Sequence, residues 1–414
     1  MTHPKMQYTY VGIDSHKHTH TAVFIDCFFE KLGELQFSNH QSSFDAFLQQ
    51  AQEFQMPGTS FMFGMEDCSS YGRLLMMHLR KNGQHVKHIN ALLVASERKN
   101  QTFTQKTDSI DAECAARVLL SKFGDLPDAN PDDKYWTLRS LVARRNLLVR
   151  HRAATKHYLH SLLTQHYPDY RAFFDKIDCK SSLAFFERYP SPGTLQNVTP
   201  EELAAFLEIP SNRSVSMAKA KQILDSLQDT APATLHQEVR DSVVRSAIRQ
   251  IQFSIDEADK LEASIATFLT EFDCTLTSMV GIDIVTAANI LSCIGDIKKF
   301  STPAKLARYA GIAPVTFASG KKDLQYANQR GNRELNSIFF WLAVRLTSPV
   351  SHSRRVLNSF FYDYYHRKIS EGKTKRQALK CVERRLVNII WTMLTNNEEY
   401  VNPPIAQAEK HNAE

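Results

Sequence analysis

Between residues 8 and 89 the apolar positions switch repeatedly between short runs and helical spacing. Residues 8–13, 21–25 and 35–38 read as three strands separated by polar residues and Gly33, and their short connections predict antiparallel neighbours. Residues 43–54 have helical spacing, 60–65 form a further apolar strand, 71–80 a helix, and Gly83 turns the chain into a strand at 85–89. Residues 109–122 close the unit as a helix whose buried stripe is Ile110, Ala115, Val118 and Leu119. This alternation predicts an α/β domain over 1–130.

Beyond the loop at Pro127, Pro131 and Asp132 the period becomes helical. Leu138, Leu141, Leu148, Leu159 and Leu162 mark one long helix. Val244, Ile248, Ile251, Ile255, Ala258, Leu261, Ile265 and Phe268 recur at steps of three and four, the seam of a second one. The two predict an antiparallel coiled-coil arm over 131–272, with inserted helices between. One of these starts at Thr199, followed by Pro200 at the first helical position and Glu202 completing a capping box. From 273 to 400 the chain reads as helices joined by turns at Gly281, Gly295, Gly311, Gly320, Gly331 and Gly372, and 401–414 as a loose tail. The fold class expected is therefore α/β plus all-α.

Length agrees, since 414 residues exceed what one core usually serves. A hydrophobic fraction of 43% and a charged fraction of 23% match an ordinary folded protein and argue against long disorder. The excess of 50 basic over 44 acidic residues is small, and clustering says more. Arg139, Arg144, Arg145, Arg150, Arg152 and Lys156 fall in one stretch, Lys373, Lys375, Arg376, Lys380, Arg384 and Arg385 in another, each able to form a phosphate-facing helix. Seven cysteines without a CxxC pair indicate neither a zinc ribbon nor a disulfide framework and fit a reducing cytoplasm. No signal-peptide core or membrane-length apolar run is present, so no membrane partner is expected.

Four carboxylates stand where strands end and a helix begins: Asp14, Glu66, Asp108 and Asp111. Three-residue spacing puts the last two on one helix face. Clustered carboxylates repel unless neutralised, and hard oxygen ligands suit magnesium or manganese, which would hold a scissile phosphate. The simpler reading makes Asp108 and Asp111 first-turn acids favoured by the helix dipole. Farther along, Ser319-Gly320-Lys321-Lys322 precedes Arg330-Gly331-Asn332 and an apolar helix. Ser319 is chemically able to attack phosphorus with Lys321 and Lys322 gathering its oxygens, although a serine before a glycine is ordinarily a turn. Gly281 would sit in a helix-hairpin-helix suited to phosphate contact, against ordinary helical packing. His16, His18 and His20 alternate as if on one strand face. Lacking cysteine or further acidic partners at ligand spacing, they read as a solvated hairpin rather than a transition-metal site. The aromatic run from Phe360 to Tyr365 reads as core of a terminal helix rather than a base-stacking surface.

The segments VGIDSHKHTHTAVFID (11–26), GMEDCSSYG (64–72) and QKTDSIDAE (105–113) resemble the RuvC-like, RNase-H-fold domain of the insertion-sequence 110 family of transposases, to which Piv-type DNA invertases are similar. The resemblance implies a magnesium site at Asp14, Glu66, Asp108 and Asp111. LARYAGIAPVTFASGKKDLQYANQRGNRELNSIFFWLAVR (306–345) resembles the family's C-terminal transposase domain, whose catalytic serine corresponds to Ser319. Members often carry two successive serines and a second glycine there, where this chain has Ala318 and Lys321. Arg330, Gly331 and Asn332 resemble the family's basic-Gly-Asn element.

The function so implied is a cytoplasmic DNA transposase or recombinase of a prokaryotic cell, associated with the nucleoid when active. It would act through Mg2+ (or Mn2+) and a transient phosphoserine link on donor and target DNA. A noncoding bridge RNA would supply specificity, and homodimers would join into a tetramer. Gly281, Gly320, Lys321, Lys322, Arg330 and Asn332 are the expected nucleic-acid contacts. The alternatives are a metal-dependent RuvC-like nuclease or junction resolvase without a covalent intermediate, and an inactive nucleic-acid-binding relative.

Overall fold

The structure is a computed structural model that describes residues 3–66, 70–101, 105–129, 134–210, 216–227, 235–319, 322–326, 328, 331–349 and 355–402. The chain divides into two compact units, Met1–Trp136 and Thr137–Glu414. The first contains β1 (Tyr8–Ser15), β2 (Thr19–Ile25), β3 (Lys31–Ser38), α1 (Gln41–Ala51), β4 (Ser60–Met65), α2 (Arg73–Lys81), β5 (His85–His88), α3 (Ala91–Asn100) and α4 (Asp108–Ser121). Its sheet runs β3-β2-β1-β4-β5; β2 is antiparallel to both β1 and β3, whereas β1, β4 and β5 run parallel. This mixed five-stranded sheet is consistent with the nuclease-like domain that the sequence implies.

Alternation along the strands sends side chains to two separate cores. Val11, Ile13, Phe61, Phe63 and Met65 pack with Phe44 and Phe47 of α1 and Leu75 and Leu79 of α2. Tyr10 and Met62 face the other way, onto Val94 of α3 and Ala112, Ala115, Ala116 and Leu119 of α4. Two glycines make the second layer close. A Cβ on Gly12 would lie 2.0 Å from the Ala112 carbonyl oxygen, and one on Gly64 would lie 2.5 Å from Ile89 and 3.1 Å from Leu119. Helix α4 therefore lies almost on the backbone of β1 and β4.

The second unit contains all but the first three residues of α5 (Lys134–His166), then α6 (Lys180–Arg188), α7 (Pro200–Glu208), α8 (Met217–Asp225), α9 (Gln237–Leu269), α10 (Ile284–Ile294), α11 (Pro303–Tyr309), β6 (Val315–Ser319), β7 (Lys322–Tyr326), α12 (Arg333–Thr347), α13 (Ser359–Ser370) and α14 (Lys375–Asn396). The expected capping box is present: the Glu202 amide donates to Thr199 Oγ1 at 3.2 Å and the Thr199 amide to Glu202 Oε2 at 2.9 Å. The long helices α5 and α9 run oppositely, because Arg145 donates to Glu262 while Leu159 and Leu163 share a core with Val244, Ile248 and Ile251. That core also takes Phe185 and Phe186 of α6, Leu203 and Leu207 of α7 and Ile223 of α8, so this half of the pair is embedded in the inserted helices.

An all-helical C-terminal segment is corrected by the antiparallel hairpin of β6 and β7, in which Val315 pairs with Tyr326 and Ser319 with Lys322. Among the described residues no helix is long and apolar enough to cross a membrane.

Candidate active site

Parallel register delivers two of the predicted carboxylates together. Ile13 of β1 is opposite Met65 of β4, so the next residues, Asp14 and Glu66, leave adjacent strands at the same end. Both continue the faces of Gly12 and Gly64, which look onto α4. Helix α4 runs against β1 and starts at this end. Thr107 Oγ1 caps it by accepting from the Ile110 amide at 3.2 Å, and Asp108 and Asp111 occupy its first turn, where the helix dipole favours negative charge. The fold thus places all four predicted acids around one end of the sheet.

The four do not use their charge alike. Asp14 and Asp108 flank a single imidazole, with His16 Nε2 lying 3.0 Å from Asp14 Oδ2 and 3.2 Å from Asp108 Oδ1. Asp111 instead accepts from Arg98 of α3, with Lys106 Nζ 3.8 Å from its other oxygen. Burial pushes the Asp14 carboxyl above the usual carboxylate range; His16 opposes that shift, and Asp108 and Asp111 add to it. Glu66 is raised too, first by burial and then by Asp14 and Asp111, against Lys106 and Arg98. Burial disfavours the charged form of His16, but Asp14 and Asp108 outweigh it and lift the imidazole above its ordinary value.

The donor set fits a hard divalent cation. Asp14, His16 and Asp108 each offer one ligand atom, all within 4.8 Å of one another, and Glu66 and Asp111 are near enough to raise the Asp14 and Glu66 carboxyls. A cation there would relieve the mutual repulsion that His16, Arg98 and Lys106 now only partly offset.

His16 is the correction to the histidine reading. The three histidines do not share an exposed strand face: His16 follows β1 in the turn, while His20 is fully buried in β2 against the rings of Phe37 and Phe44 at 5.4 and 6.4 Å. Asn39 steadies that turn, its Nδ2 donating to the carbonyls of Lys17 at 3.3 Å and Tyr71 at 3.0 Å. Arg98, Lys106 and Asn39 are not singled out from sequence: Arg98 comes from α3 and Asn39 from the residue after β3, while Lys106 stands beside the acids without a pattern that marks it.

On the C-terminal side, Ser319 is the last residue of β6 and pairs in backbone register with Lys322, the first of β7. Gly320, Lys321 and Arg330 lie outside the described residues. Asn332 caps α12, accepting from the Leu335 amide at 2.9 Å and donating to the Tyr309 hydroxyl at 3.1 Å. Gly331 is pressed on Gly311, whose φ is +69°; a Cβ on Gly331 would lie 2.2 Å from the Gly311 nitrogen. Gly281, at φ +100°, receives Arg345 Nη1 on its carbonyl at 3.2 Å. Several basic residues expected to face phosphate serve the fold: Arg139 donates to the Ser292 carbonyl, Lys156 pairs with Asp178, and Arg384 donates to the Pro303 carbonyl. Phe360 and Phe361 are core, as expected, whereas Tyr364 is half-buried under Arg385.

Residues 11–168 match a family model described as a transposase, of the DEDD type of IS110 elements. Residues 274–357 match the model of the transposase IS116/IS110/IS902 family. The insertion element IS116 44.8 kDa protein of Streptomyces clavuligerus is 27% identical over 403 residues, covering 96% of this chain and 98% of the relative. The insertion element IS110 43.6 kDa protein of Streptomyces coelicolor is 28% identical, over 80% of this chain and 81% of its own. The pilin gene-inverting protein of Moraxella bovis is 31% identical over 127 residues, 30% of this chain and 37% of that one. With both models of one family matched over more than half of its residues, and a relative aligned almost end to end, the chain belongs to the IS110 family of insertion-sequence transposases, enzymes that act on DNA.

Proposed function

We propose that the protein cuts and rejoins DNA with a carboxylate-held magnesium site at Asp14, Glu66, Asp108 and Asp111 and with Ser319 as nucleophile. The observation that carries this reading is the delivery of Asp14 and Glu66 from adjacent parallel strands onto the end of α4 that bears Asp108 and Asp111. Magnesium held there would supply charge stabilisation at a phosphodiester; manganese suits the same oxygens. Ser319 Oγ forms the new bond to phosphorus, one deoxyribose oxygen leaves with a proton, and religation reverses the step. The phosphoester is conserved in the phosphoserine link, so no nucleotide hydrolysis is required.

In this reading residues 1–130 form the catalytic domain and 131–272 a helical arm in which α5 and α9 pair as a coiled coil. Residues 273–400 carry the serine, and 401–414 are a tail. Gly281, Gly320, Lys321, Lys322, Arg330 and Asn332 contact nucleic acid. Donor and target DNA are the substrates, a bridge RNA supplies sequence recognition by pairing, and dimers assemble into a tetramer in which Ser319 from one subunit can serve the acids of another. The setting is the cytoplasm of a prokaryotic cell, at the nucleoid when the protein is active.

Trapping the covalent protein–DNA adduct tests this. Wild-type protein with magnesium forms it, Ser319→Ala does not, and structured RNA co-purifies with the full chain. Cleavage that survives Ser319→Ala would identify a nuclease or resolvase in which water attacks. Undiminished recombination after Asp14→Asn, or without divalent metal, would identify a relative whose function is binding alone.

A further inference from the structure

The second unit carries a feature that the acidic cluster and Ser319 do not use. Helices α5, α10 and α12 enclose a cavity of about 540 Å³ that opens to solvent, within the size range of sites that hold one small organic group. Trp341 of α12 forms one wall and is 64% exposed, a large cost in apolar surface for a side chain that could instead be buried. Arg345, one turn farther on the same helix, and Arg150 of α5 also line it, and both are exposed. Arg345 is held in place by the Gly281 carbonyl at 3.2 Å and by Asp283 at 3.5 Å, both through Nη1, which leaves the rest of its fork of donors directed elsewhere. Polar groups line the interior: Asn146 donates to Asn289 at 2.8 Å, and Glu334 contributes a carboxylate.

We propose that this cavity takes a single unpaired base of DNA, stacked on Trp341, with its flanking phosphates on Arg150 and Arg345. An indole offers a flat π-face that any base can use, and stacking of this kind tolerates sequence. The two arginines supply the charge complementarity that a phosphodiester requires and a purely apolar partner does not. Breaking and exchanging strands leaves nucleotides transiently without partners, and a basic aromatic cavity on the enzyme would hold one out of the stack. The proposal is independent of the acidic cluster, because it needs no metal.

Fluorescence anisotropy of a labelled single-stranded oligonucleotide, in chelator and with the full chain, tests it. Trp341→Ala weakens binding about 10-fold, the size of one base stack, while the duplex of the same sequence changes less than about 2-fold. Trp341→Phe restores most of the loss, and Arg150→Gln makes the salt dependence shallower by about one phosphate contact. In the unaltered protein, a bromodeoxyuridine strand cross-links under light to the peptide containing Trp341. Unchanged single-strand affinity in Trp341→Ala, equal loss for duplex, or a cross-link mapped elsewhere would each overturn the assignment. So would a loss with RNA of the same sequence but not with DNA, or a change in sedimentation with DNA affinity intact, which would make Trp341 a subunit contact.

Discussion

Gly12 of β1 and Ala116 of α4 meet backbone to backbone: a Cβ built on Gly12 would lie 2.2 Å from the Ala116 nitrogen and 2.9 Å from its Cα. That approach lets α4 lie on the sheet with Asp108 and Asp111 beside Asp14. Gly12→Ala forces the helix outward, since neither clashing atom belongs to a flexible side chain. Overpacking of this kind costs about 1–3 kcal/mol. Urea titration should show a lower midpoint, and metal-dependent DNA cleavage should fall further than stability does, because the displaced helix carries two of the acids.

Metal binding should register as stability. If magnesium binds the folded acids alone, saturating it at about 100 times its dissociation constant raises stability by roughly 2.7 kcal/mol. The thermal midpoint of the wild-type protein should therefore rise with magnesium and return with chelator. In Asp14→Asn the rise should shrink or vanish, while the metal-free midpoint holds or increases, since burial and the neighbouring Asp108 and Asp111 disfavour the Asp14 charge. A full magnesium response in Asp14→Asn would exclude Asp14 as a ligand.

The parts of this site that sequence made legible are those set by local pattern. The strand bearing Asp14, the strand ending before Glu66 and the capped helix beginning at Asp108 follow from period and end signals. What sequence did not carry is pairing at distance. Helix α3 has Val94 as its buried residue and so little amphipathic signal, yet it brings Arg98 to Asp111. The alternation of His16, His18 and His20 looked like one face, but β1 ends at Ser15, which turns His16 toward the acids and leaves His20 inside β2. The β6–β7 hairpin was hidden for another reason: its five-residue strands are short, and its glycine resembled the other glycine turns between helices.

Asp283 gives a pH-dependent test in the second unit. Its Oδ1 accepts from the Thr286 amide at 2.8 Å, capping α10, and Arg345 lies 3.5 Å from Oδ2. Burial pushes this carboxyl up, but the Thr286 bonds and Arg345 together hold it below the usual value. A depressed folded pKa contributes stability above the unfolded pKa, near 4, which is lost as pH falls through the folded value. Asp283→Asn retains a cap but not the charge. Its deficit relative to wild type should be constant from pH 5 to 7 and close below about pH 4, whereas Asp283→Ala should keep a deficit of about 0.5–2 kcal/mol from the lost cap at every pH. Equilibrium denaturation across that range measures both, and a pH-independent gap for Asp283→Asn would show that the charge contributes nothing.

Gly331 separates a structural from a nucleic-acid role in the Arg-Gly-Asn element. A Cβ there would lie 2.3 Å from the Gly311 Cα and 2.9 Å from the Ala310 carbonyl carbon, backbone atoms that the Asn332 amide and the Asn336 side chain tie in place through Tyr309 and Ala310. Neither side can yield without breaking those bonds. Gly331→Ala should thus destabilise the second unit by at least about 1–3 kcal/mol, and Asn332→Asp, which preserves the cap on Leu335 but not donation to Tyr309, by less. If the element serves phosphate alone, the two variants would instead leave the unfolding midpoint unchanged and lower DNA affinity with a reduced salt slope. Paired denaturation and binding measurements decide between these outcomes, and loss of stability in Gly331→Ala with normal affinity in the folded fraction would assign the glycine to the packing of α11 against α12.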